Sequence, residues 1–343
     1  MTATPLRLWA EAPPLPDALQ IEITSACNLR CTMCLVRYRP PVNKLAGAMT
    51  PALFHRIVTG LPGLRRLTLQ GLGEPLLSPY LLDQVRLAKS RGITVGFNSN
   101  ATLLTRARAA ELVEVGLDWL HISLDGASAA TFQGIRDGAD FERVVGNLAG
   151  LVAAKRAAGS ATPWVRVVFV AMRRNVAELP DLVRLLASIG VDELRVQNLS
   201  HSFSDTDPAG QYAGIRDFTT AEALWTGDDP APVLEAFAAA RAAAGEVGLT
   251  LRLPDLSGAE PLPLADGRPG CSWPWDSAYV TSAGVVQPCC MVMGDDRVAL
   301  GRLDEQDFAE IWHGPAYREF RRRLAGGEPP EVCRGCSMYR GTF

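Results

Sequence analysis

Short apolar runs alternate with longer amphipathic stretches from residue 20 to about residue 255. The runs at 20–24, 66–70, 93–97, 118–123, 165–171 and 193–198 have strand length and β-branched content. Between them, apolar positions recur with helical period near 50–60, 79–91, 105–115, 140–157, 177–189 and 231–247, and several of these stretches end in Gly. Strands alternating with helices predict βα units around a parallel sheet, and six such units predict an α/β fold built as a partial (β/α)6 barrel. The stretch 199–220 shows no period and exceeds an ordinary connection, so it is a candidate substrate loop. A Pro- and Gly-rich segment at 256–270 predicts a boundary before a cysteine-rich C-terminal part. The expected organisation is an extension over 1–19, a barrel over 20–255 and a small domain over 256–343.

Composition narrows the functional classes. The 343 residues carry 34 Lys and Arg against 37 Asp and Glu, mixed along the chain, which predicts no nucleic-acid partner. The first twenty residues are broken by prolines, and no apolar run approaches the ~18 residues of a membrane span. A cytoplasmic protein without a membrane is expected. In that reducing compartment, eight cysteines read as metal ligands rather than disulfides.

Their spacing sharpens this. Cys27, Cys31 and Cys34 form a Cys-x3-Cys-x2-Cys loop directly after the apolar run IEIT. Three thiolates can hold three irons of a 4Fe-4S cluster and leave the fourth open to a ligand. The segment TSACNLRCTMC at 24–34 resembles the radical S-adenosylmethionine (SAM) superfamily, whose open iron chelates SAM and reduces it to a 5'-deoxyadenosyl radical. GLGEPLL at 71–77 resembles that family's loop for the SAM amino group; Gly71 and Gly73 would admit a close ligand and Glu74 would face an ammonium. FNSNATLL at 97–104 resembles its Thr-Asn-Gly-type turn, with Ser99 and Ala101 departing from the commonest residues. In HISLDG, Ser123 and Asp125 alternate with apolar neighbours and should face the barrel interior. The resemblance implies Ser123 and Arg136 at the SAM carboxylate, Asn98 and Asn100 near its ribose, and Met33 near adenine. Each of these is also readable as an ordinary turn, cap or core residue.

Cys271, Cys289, Cys333 and Cys336 supply four more thiolates, enough to close a second cluster. The surrounding motifs, with LGRLDEQDFAEIWHGPAYREFRRRL and CRGC, resemble the SPASM/twitch subfamily. No cysteine follows Cys336, so the shorter twitch form with one auxiliary cluster is implied, and a four-cysteine zinc site is the alternative. Cys290 is left over as a packed bystander or a hydrogen donor. The basic run Arg321, Arg322 and Arg323 reads as a solvated helix face.

The resemblance therefore implies two 4Fe-4S clusters, SAM, and a low-potential donor such as flavodoxin or ferredoxin. Radical abstraction of hydrogen from a polar small molecule is expected at the barrel mouth. A fully ligated auxiliary cluster can accept an electron without losing a ligand. Oxidation of a secondary alcohol to a ketone follows, on an aminoglycoside, sugar or nucleoside intermediate of antibiotic biosynthesis, similar to the aminocyclitol- and sugar-modifying dehydrogenases of this branch. A redox-neutral epimerase, dehydratase or decarboxylase, with Cys290 as hydrogen donor, is one alternative. Radical modification of a ribosomal peptide is another, although strand one begins near residue 20 and leaves no room for a leader-binding domain ahead of it. A non-enzymatic electron carrier or zinc protein is the third class. Acid or base residues are sought in the loop after strand six, at His201, Asp205, Asp207 and Arg216, with Gln197 as an inward polar contact.

Overall fold

The computed structural model describes residues 13–38, 47–199, 203, 210, 212–224, 229–254, 271–292 and 297–340. His201, Asp205, Asp207 and the segment 256–270 lie outside them. Seven parallel strands follow one another in chain order: β1 (Ala18–Ile21), β2 (Arg66–Thr68), β3 (Thr94–Ser99), β4 (Trp119–Ser123), β5 (Trp164–Val170), β6 (Glu193–Gln197) and β7 (Thr250–Arg252). The α/β partial barrel expected from the periodicity is present. It carries one strand more than the six read from the sequence, because β7 is three residues long with no buried member to give it a pattern. Strand one also ends earlier than expected, at Ile21 rather than Thr24.

The helices arise where the sequence places caps. They are α1 (Leu35–Tyr38), α2 (Pro51–Gly60), α3 (Leu81–Ser90), α4 (Arg106–Glu114), α5 (Ala129–Ile135), α6 (Phe141–Ala157), α7 (Leu179–Ile189), α8 (Ala213–Glu222) and α9 (Ala231–Val247). Thr50, Thr105, Ser128 and Asp140 each accept from a backbone N–H of the first turn that follows them. The stretch after β6, expected as a loop, contains α8, where Ile215 and Thr219 bury one face at helical spacing. Among the described residues no helix is long and apolar enough to cross a membrane.

Register is set by a device used twice. Asp118, ahead of β4, accepts from Val95 N (2.8 Å) and from Lys89 Nζ (2.7 Å); Asp192, ahead of β6, accepts from Val165 N (2.6 Å) and Lys155 Nζ (3.0 Å). Each carboxylate thus ties the neighbouring strand, and the helix that leads into that neighbour, to its own strand. Leu120, Ile122, Val165, Val167 and Phe169 point to the helices and are fully buried, and Trp119, His121, Arg166 and Gln197 alternate to the other side.

The C-terminal part extends the same sheet. β8 (Ser277–Val280) pairs in parallel with β1, and β9 (Val285–Gln287) and β10 (Gly301–Arg302) continue antiparallel. Around them lie α10 (Trp273–Asp276), α11 (Phe308–Trp312), α12 (Pro315–Ala325), α13 (Glu331–Arg334) and α14 (Ser337–Arg340). A second small core of Trp275, Val292, Phe320, Leu324 and Val332 forms here. The basic run is not a solvated face throughout. Arg321 is fully buried between the rings of Trp312 (4.1 Å) and Tyr317 (4.2 Å), and donates to the carbonyls of Pro274 and Trp312, each at 2.7 Å. Burial pulls its pKa down to about 10. Arg322, by contrast, is exposed and pairs with Glu319.

Candidate active site

The loops leaving the C-terminal ends of β1 to β5 converge. The cysteine loop after β1 is strapped to the end of α5 by Arg30 N→Asp137 O (3.0 Å) and Thr32 N→Ile135 O (2.9 Å). Cys31 is buried, and Cys27 and Cys34 are half-buried. Burial first, then repulsion from Cys31 and Cys27, pushes the Cys34 thiol up to about 12; Cys27 and Cys31 are raised chiefly by burial. Three thiols on one loop, where burial makes their ionisation unfavourable, form a donor set that a cationic iron centre would deprotonate.

The GLGEP loop lies directly beneath this one. A side chain at Gly73 would place its Cβ 2.2 Å from the Thr24 carbonyl oxygen and 2.6 Å from that of Ala26. The first requirement for glycine here is therefore protein packing rather than ligand approach. Glu74 N donates to Ala26 O at 2.7 Å. The Glu74 carboxylate turns inward, accepting from Ser99 Oγ (2.8 Å), Asn100 N (2.7 Å) and Leu76 N (3.1 Å), and burial raises its pKa despite these donors. Ser99, which departs from the commonest family residue, thus donates to Glu74.

Asn100 joins the turn after β3 to the cysteine loop: its Nδ2 donates to Asn28 Oδ1 (3.0 Å), and its Oδ1 accepts from Thr102 Oγ1 (2.7 Å). Asn28 closes the triangle by donating to Thr102 Oγ1 at 2.8 Å. Asn98 and Ser123 sit half-buried on the inward face. Met33 packs against Ile135, Met172, Leu199 and Ala223.

Arg136 is the central charge of the site. Its Nε and a terminal nitrogen contact Asp125 Oδ2 at 2.7 and 2.6 Å, and its other terminal nitrogen lies 3.8 Å from Cys31 Sγ. Burial alone would pull the guanidinium down, but Asp125 and the Cys31 sulfur hold its pKa up. Asp125 is wholly buried and also accepts from Val170 N at 2.7 Å. Burial pushes the Asp125 carboxyl up against this pull. Two guanidinium contacts below 2.8 Å keep the pair ionised. Arg136 is thus committed to Asp125 and the cysteine loop.

Sequence reasoning missed Asn28, Glu22 and Asn175. The first two flank Cys27, in IEIT and CNLRC, and were legible as polar residues beside the ligand loop. Asn175, fully buried, donates to the carbonyls of Asp125 and Val170 and accepts from Met172 N at 2.7 Å. Arg216 lies on α8 and Gln197 ends β6 facing inward.

The second cysteine set also assembles. Cys271, Cys289, Cys333 and Cys336 line one apolar cavity with Phe320 and Val332. Cys290 does not line it, although its thiol is raised to about 12 by burial, then by Cys336 and Cys271. Cys271 is raised to about 12 and Cys289 well above its ordinary value, both chiefly by burial. Among the described residues, neither cysteine set nor any other three Cys, His, Asp or Glu side chains are gathered as the shell of a single metal ion. Four thiols around an apolar cavity suit a cluster.

Comparisons with known proteins agree with this geometry. The radical SAM superfamily model matches residues 21–186, and the SPASM iron-sulfur cluster-binding domain matches 271–337. A tungsten-containing aldehyde ferredoxin oxidoreductase cofactor-modifying protein of Pyrococcus furiosus is 35% identical over 188 residues, 53% of this chain and 51% of that protein. The match thus spans about half of that relative. A PqqA peptide cyclase of Streptomyces rochei is 29% identical over 325 residues, 94% of this chain and 81% of its own. In fold, Streptococcus suis SuiB bound to S-adenosylmethionine superimposes with a TM-score of 0.69 at 17% identity, over 98% of this chain and 74% of that one. BtrN in complex with AdoMet and 2-DOIA gives 0.53 at 20% identity, over 96% and 100%. The radical SAM domain implies a 4Fe-4S cluster and SAM, and the SPASM domain an auxiliary iron-sulfur centre. The chain belongs to the radical SAM superfamily, in the branch that carries a C-terminal SPASM domain.

Proposed function

We propose that this chain is a radical SAM oxidoreductase that removes hydrogen from a substrate carbon at the mouth of the barrel and passes an electron to an auxiliary cluster. The observation that carries this reading is the coexistence, on one sheet, of a three-cysteine loop beside Arg136 and a separate four-cysteine cavity. Cys27, Cys31 and Cys34 would hold the SAM-binding cluster; Cys271, Cys289, Cys333 and Cys336 would hold the other. Bound SAM and its cluster supply a carbon radical capable of C–H abstraction. The protein's own part is orientation. Glu74 and Asn100 fix the loops beneath the ligand, Arg136 balances the charge at the cysteine loop, and Met33 with Met172 and Phe218 presents an apolar wall that excludes water.

The substrate class favoured by the relative matched over 94% of the chain, which is named a peptide cyclase, is a peptide. A second reading, oxidation of a secondary alcohol on a polar small molecule, is favoured by the four-thiol cavity, since a cluster with every iron ligated by protein can exchange only electrons. Both readings share the first step. Anaerobically reconstituted protein should form 5'-deoxyadenosine with dithionite, and a Cys27→Ala, Cys31→Ala, Cys34→Ala variant should not. Failure of the parent to cleave SAM with a full iron complement would overturn the assignment. Deuterium transfer from labelled precursor peptides or labelled aminocyclitols into 5'-deoxyadenosine then separates the two substrate classes.

A further inference from the structure

Glu22, directly after β1, is a buried carboxylate with 4% exposure, and it is held by neutral donors from two distant parts of the chain. Its Oε2 accepts from Leu72 N (2.9 Å) and Tyr279 Oη (2.9 Å); its Oε1 accepts from Ser282 Oγ (3.0 Å) and Ser282 N (3.3 Å). Leu72 belongs to the GLGEP loop. Tyr279 and Ser282 belong to β8 and the turn after it, in the C-terminal part. Gly71 rests on the same side chain: a Cβ there would stand 2.2 Å from Glu22 Cγ and 2.5 Å from Oε2.

The orientation of the loop follows from peptide geometry. In a planar trans peptide the carbonyl of one residue points opposite to the N–H of the next. With Leu72 N–H turned to Glu22 and Glu74 N–H turned to Ala26 O, the carbonyls of Gly71 and Gly73 are turned away from both acceptors. They become acceptors for an ammonium group, reinforced at Gly71 by the buried negative charge behind the peptide.

We propose that Glu22 is a positioning residue for the amino group of SAM, and that Tyr279 and Ser282 hold it in place, so that docking of the C-terminal domain sets SAM affinity. The inference rests on the reading that loop 71–74 binds SAM. An uncharged side chain would pack as well and cost less to bury, whereas a carboxylate orients several donors at once.

The test uses fully reconstituted protein and reads the SAM dissociation constant from the SAM-induced change in the EPR signal of the reduced cluster, beside iron content and the steady-state KM and kcat for reductive SAM cleavage. Tyr279→Phe with Ser282→Ala should weaken SAM binding about tenfold and raise KM, with kcat and iron content kept. Glu22→Gln, which retains one oxygen for Leu72 N and Tyr279, should bind SAM more tightly than Glu22→Ala. SAM affinity within about twofold of the parent in the double variant would overturn the inference. If that variant does not accumulate, Tyr279→Phe alone decides, with about threefold expected for one lost hydroxyl and no change refuting the coupling. Glu74→Ala separates the two levels. Unchanged SAM binding there refutes the loop reading itself, whereas weakened binding there beside an unchanged double variant refutes only the part played by the C-terminal domain.

Discussion

Replacing Asp125 by Asn isolates the electrostatic core of the site. The side chain keeps its shape and an oxygen for Val170 N, but it loses the charge that faces Arg136 across 2.6 to 2.7 Å. Arg136 is only 8% exposed, so it cannot turn to water, and Cys31 Sγ at 3.8 Å is a weak acceptor while protonated. Removing one partner of a buried pair costs about 3–5 kcal/mol, because the remaining charge is left uncompensated. Removing both costs far less, so Asp125→Asn with Arg136→Met should recover most of the loss. The assay is anaerobic urea unfolding of cluster-free protein, followed by fluorescence of its seven tryptophans. For a slope of about 2–3 kcal/mol per molar urea, Asp125→Asn should lower the midpoint by roughly 1–2 M. A loss below about 1 kcal/mol, or a double variant as unstable as the sum of its parts, would refute the ionised pair.

Other consequences can be checked separately. Gly73→Ala places a methyl against the Thr24 and Ala26 carbonyls and should cost the first cluster, leaving about four irons of about eight; Gly60→Ala, with nothing near its added carbon, should retain all of them. Cys290→Ala should keep the full iron complement, since Cys290 does not line the second cavity; loss of about four irons would place its thiol among the ligands. His121, whose ring lies 4.4 Å from that of Trp119 at a tilt of 37°, has its pKa pulled down to about 3 by burial, then by Arg166 and Arg195. Its folded value lies below the unfolded one, so its contribution is present above about pH 6.5 and is lost as pH falls towards 3. The urea midpoint should therefore fall less between pH 7.5 and 5 in His121→Phe than in the parent; parallel slopes would contradict this.

Much of the architecture is legible locally. Strands β2 to β6 and their helices follow from period 2 and period 3.6 patterns, because burial of one face is all that those patterns report. The cysteine loop is legible for a similar reason: a Cys-x3-Cys-x2-Cys turn brings its thiols together through short-range chain geometry. Even the loops proposed to hold SAM can be located, since they follow strand ends. Their inner workings could not be read off. Glu74 is recognisable as a carboxylate at a strand end, but Ser99 and Asn100, which take up its oxygens, are 25 and 26 residues away. Arg321 sits in a run that reads as solvated, and only the packing of α11 against α12 puts it between two rings.

Fold class, the two cysteine sets and the order of the loops at the barrel mouth follow from the chain read residue by residue, because each depends on neighbours within a few residues or on a simple repeat. Which buried charges pair, and how the C-terminal part meets the barrel, emerge only from the packed fold. Arg136 reaches Asp125 and Cys31 through the fold of α5, and Glu22 meets Tyr279 across 257 positions because β8 pairs with β1. A periodic pattern says that a face is buried; it carries no information about which distant polar group will satisfy a charge there.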